Sequence, residues 1–257
     1  MKDIAVYNRA AWDAQVTKRN RWTVPVSVDV ISKARAGDWQ VVLTPTKPVP
    51  MSWFPDLSGA DLLGLASGGG QQAPVLAAAG AKVTVLDNSP NQLEQDQVVA
   101  RREGLSIRSV LGDMRDLSCF ADNSFDVVFN PCSVCFVPDV RSVFEEVSRV
   151  LRPGGRLLAG FVHPIRFMFD ENDLEQDKLT VRHRLPYADE THLSAEELDQ
   201  LRTDSEPLCF SHSLEDLIGG QLQAGLRLKE IFEDKYSDDL LSQYSPTFLA
   251  TFAEKPW

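Results

Sequence analysis

Positive charge is what this chain has least of. Its 257 residues include 26 lysines and arginines against 37 aspartates and glutamates, a formal net charge of −11. A protein that tracks a phosphate backbone or an anionic membrane surface needs a basic footprint, so neither nucleic acid nor membrane is an expected partner. Cysteine is scarce, with four residues, and the opening MKDIAVYNRAAW has no apolar signal-like core. A reduced, cytoplasmic protein is therefore expected. Residues 62–81 are uncharged for twenty positions, nominally a membrane-span length. They hold five glycines, two glutamines and a proline, which suits a soluble strand–helix unit instead. There is no internal repeat and no low-complexity tract. Cys132 and Cys135 form a C-x-x-C pair, but a zinc site wants a second pair. Cys119 and Cys209 stand singly, so no metal is expected and the pair reads as two small buried residues.

From residue 60 the sequence alternates between strand and helix signals. The expected strands are 61–66, 82–87, 106–113, 125–130 and 156–162. The expected helices are 71–80, with Pro74 in the first turn and Gly80 at the stop, 89–104, from Ser-Pro to Gly, and 139–155, ending in Pro-Gly-Gly. Such alternation implies a mainly parallel sheet with right-handed crossovers. Before it, residues 3–20 and 22–36 read as helices and WQVVLTPTKPVPMSWFP as an irregular crossing, together a cap. After it, residues 170–206 hold twelve acidic residues against four lysines or arginines. They read as a solvated surface insertion, or alternatively as a lid. A helix (213–226) and two final strands follow.

The chemistry gathers where these strands end. Parallel sheets bind ligands at their carboxyl edge, and LLGLASGGGQQAP (62–74) puts a glycine-rich turn there. That turn is either a backbone cradle for a ligand or a plain loop. Asp87 ends the second strand nineteen residues after Gly68, where a carboxylate can accept both hydroxyls of a ribose. Asp113 ends the third strand in LGDMRDL, where it can accept from an adenine amino group while the Met114 amide meets a ring nitrogen.

With SFDVVFNPCSVCFVPD (124–139) and EEVSRVLRPGGRLL (145–158), these blocks resemble, in order and spacing, the class I S-adenosylmethionine-dependent methyltransferase family, in particular its small-molecule type. The resemblance covers residues 60–162 well. It implies an α/β, Rossmann-like, doubly wound seven-stranded sheet with an antiparallel last strand. It also implies a single domain with an N-terminal cap (1–58), a cofactor-binding core (59–162), an insertion or lid (163–212) and a C-terminal helix and strands (213–257). By the same resemblance, Ala66, Ser67, Gly68 and Gly69 would hold the amino-acid end of S-adenosylmethionine. Asp87 would take the ribose, Asn88 and Leu93 would flank adenine, Asp113 and Met114 would read its edge, and Asn130 would approach the methionine moiety.

Two residues depart from the family pattern: Gly64 stands where the family usually carries an acid, and Ala66 where it carries a glycine. Asp61 is no simple substitute, because three positions earlier on a strand it faces the other way. His163, after the fifth strand, is the candidate general base, or else a strand-end histidine bonded to backbone. His212 reads as a residue near a helix cap formed by Ser213 and Asp216, and His183 and His192 as solvated. Tyr7, Trp12 and Trp22 of the cap either shield the ligand or pack on the core. The expected activity is methyl transfer to a small molecule, with the oligomeric state open. A non-catalytic binder of the same cofactor and an NAD-dependent oxidoreductase are the competing readings.

Overall fold

The computed structural model describes residues 4–237 and 239–257. Seven strands form one sheet: β1 (Asp61–Leu65), β2 (Lys82–Asp87), β3 (Ile107–Leu111), β4 (Phe125–Asn130), β5 (Leu151–Val162), β6 (Arg227–Asp234) and β7 (Phe248–Glu254). Their order is β3-β2-β1-β4-β5-β7-β6. The first five run parallel, and β7 runs antiparallel between β5 and β6. The strand order reverses between β1 and β4, which opens a crevice at their carboxyl ends.

Each face of the sheet buries its own core. Leu62, Val83, Val85, Val127 and Phe129 point one way, onto helices α2 (Val28–Arg35), α3 (Gln72–Ala78) and α4 (Pro90–Glu103). Leu63, Leu65, Leu86, Val128 and Leu157 point the other way, onto α5 (Val140–Val150). Alternation with period two supplies both faces from the same strands. In α5 the buried residues Val140, Val143, Phe144, Val147 and Val150 recur at helical spacing, and Asp139 caps its first turn by accepting the amides of Arg141 and Ser142. Helix α4 runs as its sequence signals indicate: Ser89 Oγ accepts the Gln92 amide, Pro90 opens the helix and Gly104 ends it at φ 65°.

Three expectations need correction. Pro153-Gly154-Gly155 does not terminate a helix; it lies inside β5. Phe125 pairs with Leu151 and Val127 with Arg156, so the extra residues bulge out of the ladder. The second helical piece is shorter than 22–36: a 3₁₀ turn (Arg21–Thr23) and an extended stretch precede Ser27, which caps α2. The acidic insertion folds into short helices, Glu171–Glu175, Asp189–His192 and Ala195–Thr203. Within it His183 is buried rather than solvated, because its ring and that of His192 both lie 4.9 Å from the Tyr187 ring.

The amino-terminal region is bonded down over the carboxyl edge. Helix α1 (Ile4–Thr17) places Asp13 to accept from Ser89 Oγ (2.5 Å) and from the Asn91 amide (3.1 Å). Asn8 Nδ2 donates to Phe136 O (2.9 Å) and Leu208 O (3.1 Å), and its Oδ1 accepts the Leu208 amide (2.8 Å), which ties cap, core and insertion together. A strap over residues 41–49, closed by a Val42–Pro48 bridge, crosses β5. At Gly160 a Cβ would lie 2.0 Å from Leu43 O, so only glycine lets the strap approach there.

Buried Asp234 holds the outer end of that strap, accepting from Thr44 Oγ1 (2.7 Å), the Thr46 amide (2.9 Å), Thr46 Oγ1 (2.5 Å) and the Lys47 amide (2.9 Å). Burial raises its pKa, but these donors outweigh it and hold the carboxyl at about 2. A carboxylate with a depressed folded pKa contributes fully above the unfolded value near 4 and loses that contribution as pH falls toward 2, about 2 kcal/mol in all. Asp234→Ala should lower unfolding free energy at pH 7 by about 3 kcal/mol in urea titrations. It should also flatten the acid limb between pH 4 and pH 2; an unchanged limb would show that Asp234 is not the strap's anchor.

Candidate active site

The glycine turn is shaped first by the protein around it. A Cβ on Gly68 would lie 2.8 Å from Gln92 Cβ and 3.0 Å from Asp87 Oδ2. On Gly69 (φ 117°) it would lie 2.6 Å from Trp22 O, and on Gly70 (φ 75°) 2.9 Å from Gln95 O. The three glycines let α4 and the cap close on the turn, and Gly68 also faces a cavity of about 260 Å³. The two roles weighed from the sequence thus meet in one loop.

That cavity opens at the switch point and gathers residues from the cap, the core and the carboxy-terminal segment. Of the residues singled out from the sequence, Ala66, Ser67, Gly68, Asp87, Asn88, Asp113, Met114, Trp12 and Trp22 line it. Gly69, Leu93 and Asn130 stand behind the wall. Leu93 is buried in the core, and Asn130 Nδ2 donates to Leu65 O (2.8 Å) and Ser133 Oγ (2.7 Å), bracing the strand tips. Tyr7 lies away from the wall, donating its hydroxyl to Glu206 O (2.9 Å).

His163 needs a correction as a candidate base. It is not among the lining residues; its Nδ1 accepts the Ile165 amide (3.2 Å), capping the turn that begins at Pro164. His212 is buried and its Nε2 donates to Val134 O (3.0 Å). Ser213 Oγ does accept the Asp216 amide (3.0 Å), forming the expected cap.

Asp87 is the buried acid of the wall. Its Oδ2 accepts the Gly68 amide (3.0 Å) and its Oδ1 the Ser89 amide (2.9 Å), which leaves each oxygen a further lone pair. Burial pushes its carboxyl up to about 6, against the pull of those amides. Asn88 is fixed by the cap: its Nδ2 donates to Ala5 O (2.6 Å) and its Oδ1 accepts from Arg9 Nε (3.2 Å). Burial opposes ionisation of Asp113, but the Arg115 guanidinium (2.6 Å) and amide (2.9 Å) hold its carboxyl below the usual range.

The rest of the wall is uncharged. Val42, Leu43, Pro45, Val162, Phe248 and Tyr236 surround the far end, and the Tyr236 ring meets Phe248 edge-on at 5.0 Å. Arg21 lies outside, its guanidinium 4.5 Å from the Trp22 ring and 4.8 Å from the Tyr236 ring. Cys132 and Cys135 both line the cavity; burial pushes the Cys135 thiol up to about 12 and raises Cys132 well above its usual value. Among the described residues no group of three or more histidine, cysteine or acidic side chains is arranged to hold a metal.

An adenosyl amino acid fits this donor set. Ser67 Oγ is buried with no hydrogen-bond partner, a cost of about 1–3 kcal/mol that a polar ligand relieves. Asp87 offers acceptors, and the turn offers close backbone. The sequence reading missed Tyr236, Phe248 and the 42–45 strap. Aromatic residues and prolines far from any motif carry no signal of a shared chamber.

Comparison with known proteins agrees with this geometry. The family described as "Methyltransferase domain" matches residues 63–159. An uncharacterized methyltransferase, YbaJ of Bacillus subtilis, is 48% identical over 99% of this chain and 100% of its own length. A demethylmenaquinone methyltransferase of Paenarthrobacter aurescens is 33% identical over 53% of this chain and 50% of its own. Among solved structures, an S-adenosylmethionine-dependent methyltransferase from Mesorhizobium loti superposes with a TM-score of 0.61 at 18% identity, covering 79% of this chain and 94% of that one; it shares the fold. By its full-length relative, its matched domain and its strand order, the chain belongs to the class I S-adenosylmethionine-dependent methyltransferase family.

Proposed function

We propose that this protein transfers the methyl group of S-adenosylmethionine, in line, to a small, largely apolar and uncharged acceptor. The observation that carries the reading is one continuous cavity with two unlike ends. One end holds Asp87, Asn88, Asp113, Met114 and the 66–68 turn. The other is walled by Pro45, Val162, Tyr236 and Phe248.

When bound, the cofactor supplies an electrophilic methyl on a cationic sulfur. Asp87 accepts from the ribose hydroxyls, Ala66 to Gly68 line the amino-acid end, and Asn88, Asp113 and Met114 border the base. Gly69, Leu93 and Asn130 support that wall from behind. Trp22, Tyr236 and Phe248 exclude water and keep the acceptor against the reacting end. No histidine, lysine or glutamate lines the cavity among the described residues; burial holds both thiols and the Tyr236 hydroxyl protonated, Asp113 is paired with Arg115, and Asp87 is assigned to the ribose. The acceptor therefore brings its own lone pair, and its proton, if it has one, leaves to solvent.

The relative named for demethylmenaquinone supports a small acceptor with a large apolar part. The acidic balance supports neither nucleic acid nor a membrane surface as partner, and no described helix is long and apolar enough to cross a membrane. We infer a cytoplasmic setting from the four unpaired cysteines.

S-adenosylhomocysteine should raise the melting temperature and NAD should not; no shift with the former sinks the cofactor assignment. Labelled methyl from S-adenosylmethionine, incubated with protein and cell extract, should appear in the organic-extractable small-molecule fraction. Label in RNA or protein would overturn the acceptor class. Because Asp87 titrates near 6 and binds ribose as the carboxylate, S-adenosylhomocysteine affinity should drop about tenfold per pH unit below 6. Asp87→Ala should weaken binding about 100-fold at pH 8 in isothermal titration. A dissociation constant unmoved by either change removes Asp87 from the site.

A further inference from the structure

We propose that Gln71 and Gln72 are positioning residues for the transfer: each clasps one of two amino-terminal straps that wall the acceptor chamber, so that the chamber's closure is tied to the cofactor loop. The proposal rests on the reading of the cavity given above.

Both glutamines follow the glycine turn directly, at the start of α3, and both line the cavity. Gln71 reaches the first strap, donating from Nε2 to Arg21 O (2.7 Å) and Val24 O (3.1 Å). That strap carries Trp22 into the wall, and the Val26 amide donates back to Gly70 O (2.9 Å). Gln72 reaches the second strap, where its Oε1 accepts the Val42 amide (3.0 Å). That strap carries Val42, Leu43, Thr44 and Pro45 into the wall. Asp234 grips its far end through Thr44, Thr46 and Lys47; Gln72 grips the end nearest the cofactor loop. Five residues, 68–72, thus run from the Asp87 partner to both chamber walls.

The partners fix which amide atom does the work. Carbonyls of Arg21 and Val24 only accept, so Gln71 must donate. The Val42 amide only donates, so Gln72 must accept. A glutamate keeps the acceptor that position 72 needs and removes the donor that position 71 needs. The same substitution should have opposite results at neighbouring positions.

Cys132, on the chamber wall, reports opening. In a C119S background, which removes the exposed thiol, N-ethylmaleimide labelling of Cys132 is followed by peptide mass mapping with and without S-adenosylhomocysteine. Labelling should be slow in the parent and slower with ligand. Q72L and Q71E should each label about five- to tenfold faster without ligand and be less protected by it. Q72E should behave as the parent, and S-adenosylhomocysteine affinity should stay within about threefold in all three, because the Asp87 contacts are intact. Parent-like labelling in folded Q72L or Q71E, or Q72E labelling as fast as Q72L, overturns the clasp. Should Q72L not fold, Q71E carries the same test on the other strap. If S-adenosylhomocysteine protects no variant, the parent included, the cofactor reading falls, while the ligand-free rates still judge the clasp.

Discussion

The bond from the Gly68 amide to Asp87 joins the tips of two neighbouring strands at the level where a ligand meets the sheet. It forms because β1 and β2 run parallel in register, Leu65 beside Leu86, so that Asp87 ends its strand beside the turn. It requires glycine at 68, where a Cβ would press on both Asp87 and Gln92. It also leaves a buried carboxylate short of counter-charge, which burial pushes toward neutrality. Asp96, one turn further along α4, is fully buried, accepts the Gly70 amide (3.0 Å) and is raised by burial and by Asp87 itself. Two acids thus organise the glycine turn from beneath, and the glycines make that proximity possible.

The end of the cavity walled by Pro45, Val162, Tyr236 and Phe248 depends on contacts distant in sequence. Its straps come from the first fifty residues, and their anchors come from Gly160 in β5, Asp234 at the end of β6 and the glutamines of α3. This follows from the topology: β7 inserts between β5 and β6, which carries the segment after β6, with Tyr236, to the cavity edge. The cap is then bonded to the insertion through Asn8 and Leu208. Core, cap and carboxy-terminal segment each hold a share of one wall, and the insertion braces the cap from behind it.

What the sequence makes legible is what repeats or caps. Helix α4 is bounded by Ser89-Pro90 and Gly104, and α5 shows its buried stripe. Asp87 and the glycine turn are recognisable because a strand end and a turn stand at fixed spacing. Pro153-Gly154-Gly155 misleads because a helix stop and a strand bulge use the same residues; only pairing with Phe125 and Val127 decides. His183 misleads because an acidic neighbourhood suggests solvent, whereas Tyr187 and His192 enclose it. His163 has the right place in the chain, yet its Nδ1 is taken up by the next turn and the residue does not line the cavity. Asp234 carries no local signal, since Thr46 lies 188 positions away; the two glutamines are placed at the pocket by the start of their helix, but Val24, 47 positions from Gln71, is not legible as a partner.

The two departures from the family pattern have a common structural account. At Gly64 a Cβ would lie 2.4 Å from Ser67 Oγ, so the serine hydroxyl occupies the room where a side chain at 64 would start. Asp61 cannot compensate, because Arg152 holds its carboxylate at 2.8 Å. Ala66 adopts φ 46°, a left-handed conformation that glycine accepts freely and alanine accepts at a cost of about 1 kcal/mol. Its amide is held by Leu86 O at 2.7 Å, which keeps it there. Exchanging the acid for Ser67 turns a charged support into a neutral one: the hydroxyl is buried and unpartnered and carries no charge to attract an ammonium. The amino-acid end of the pocket is thus built from a hydroxyl and backbone. Of the two acids that line the cavity among the described residues, Asp113 is paired with Arg115 and Asp87 has no cation beside it.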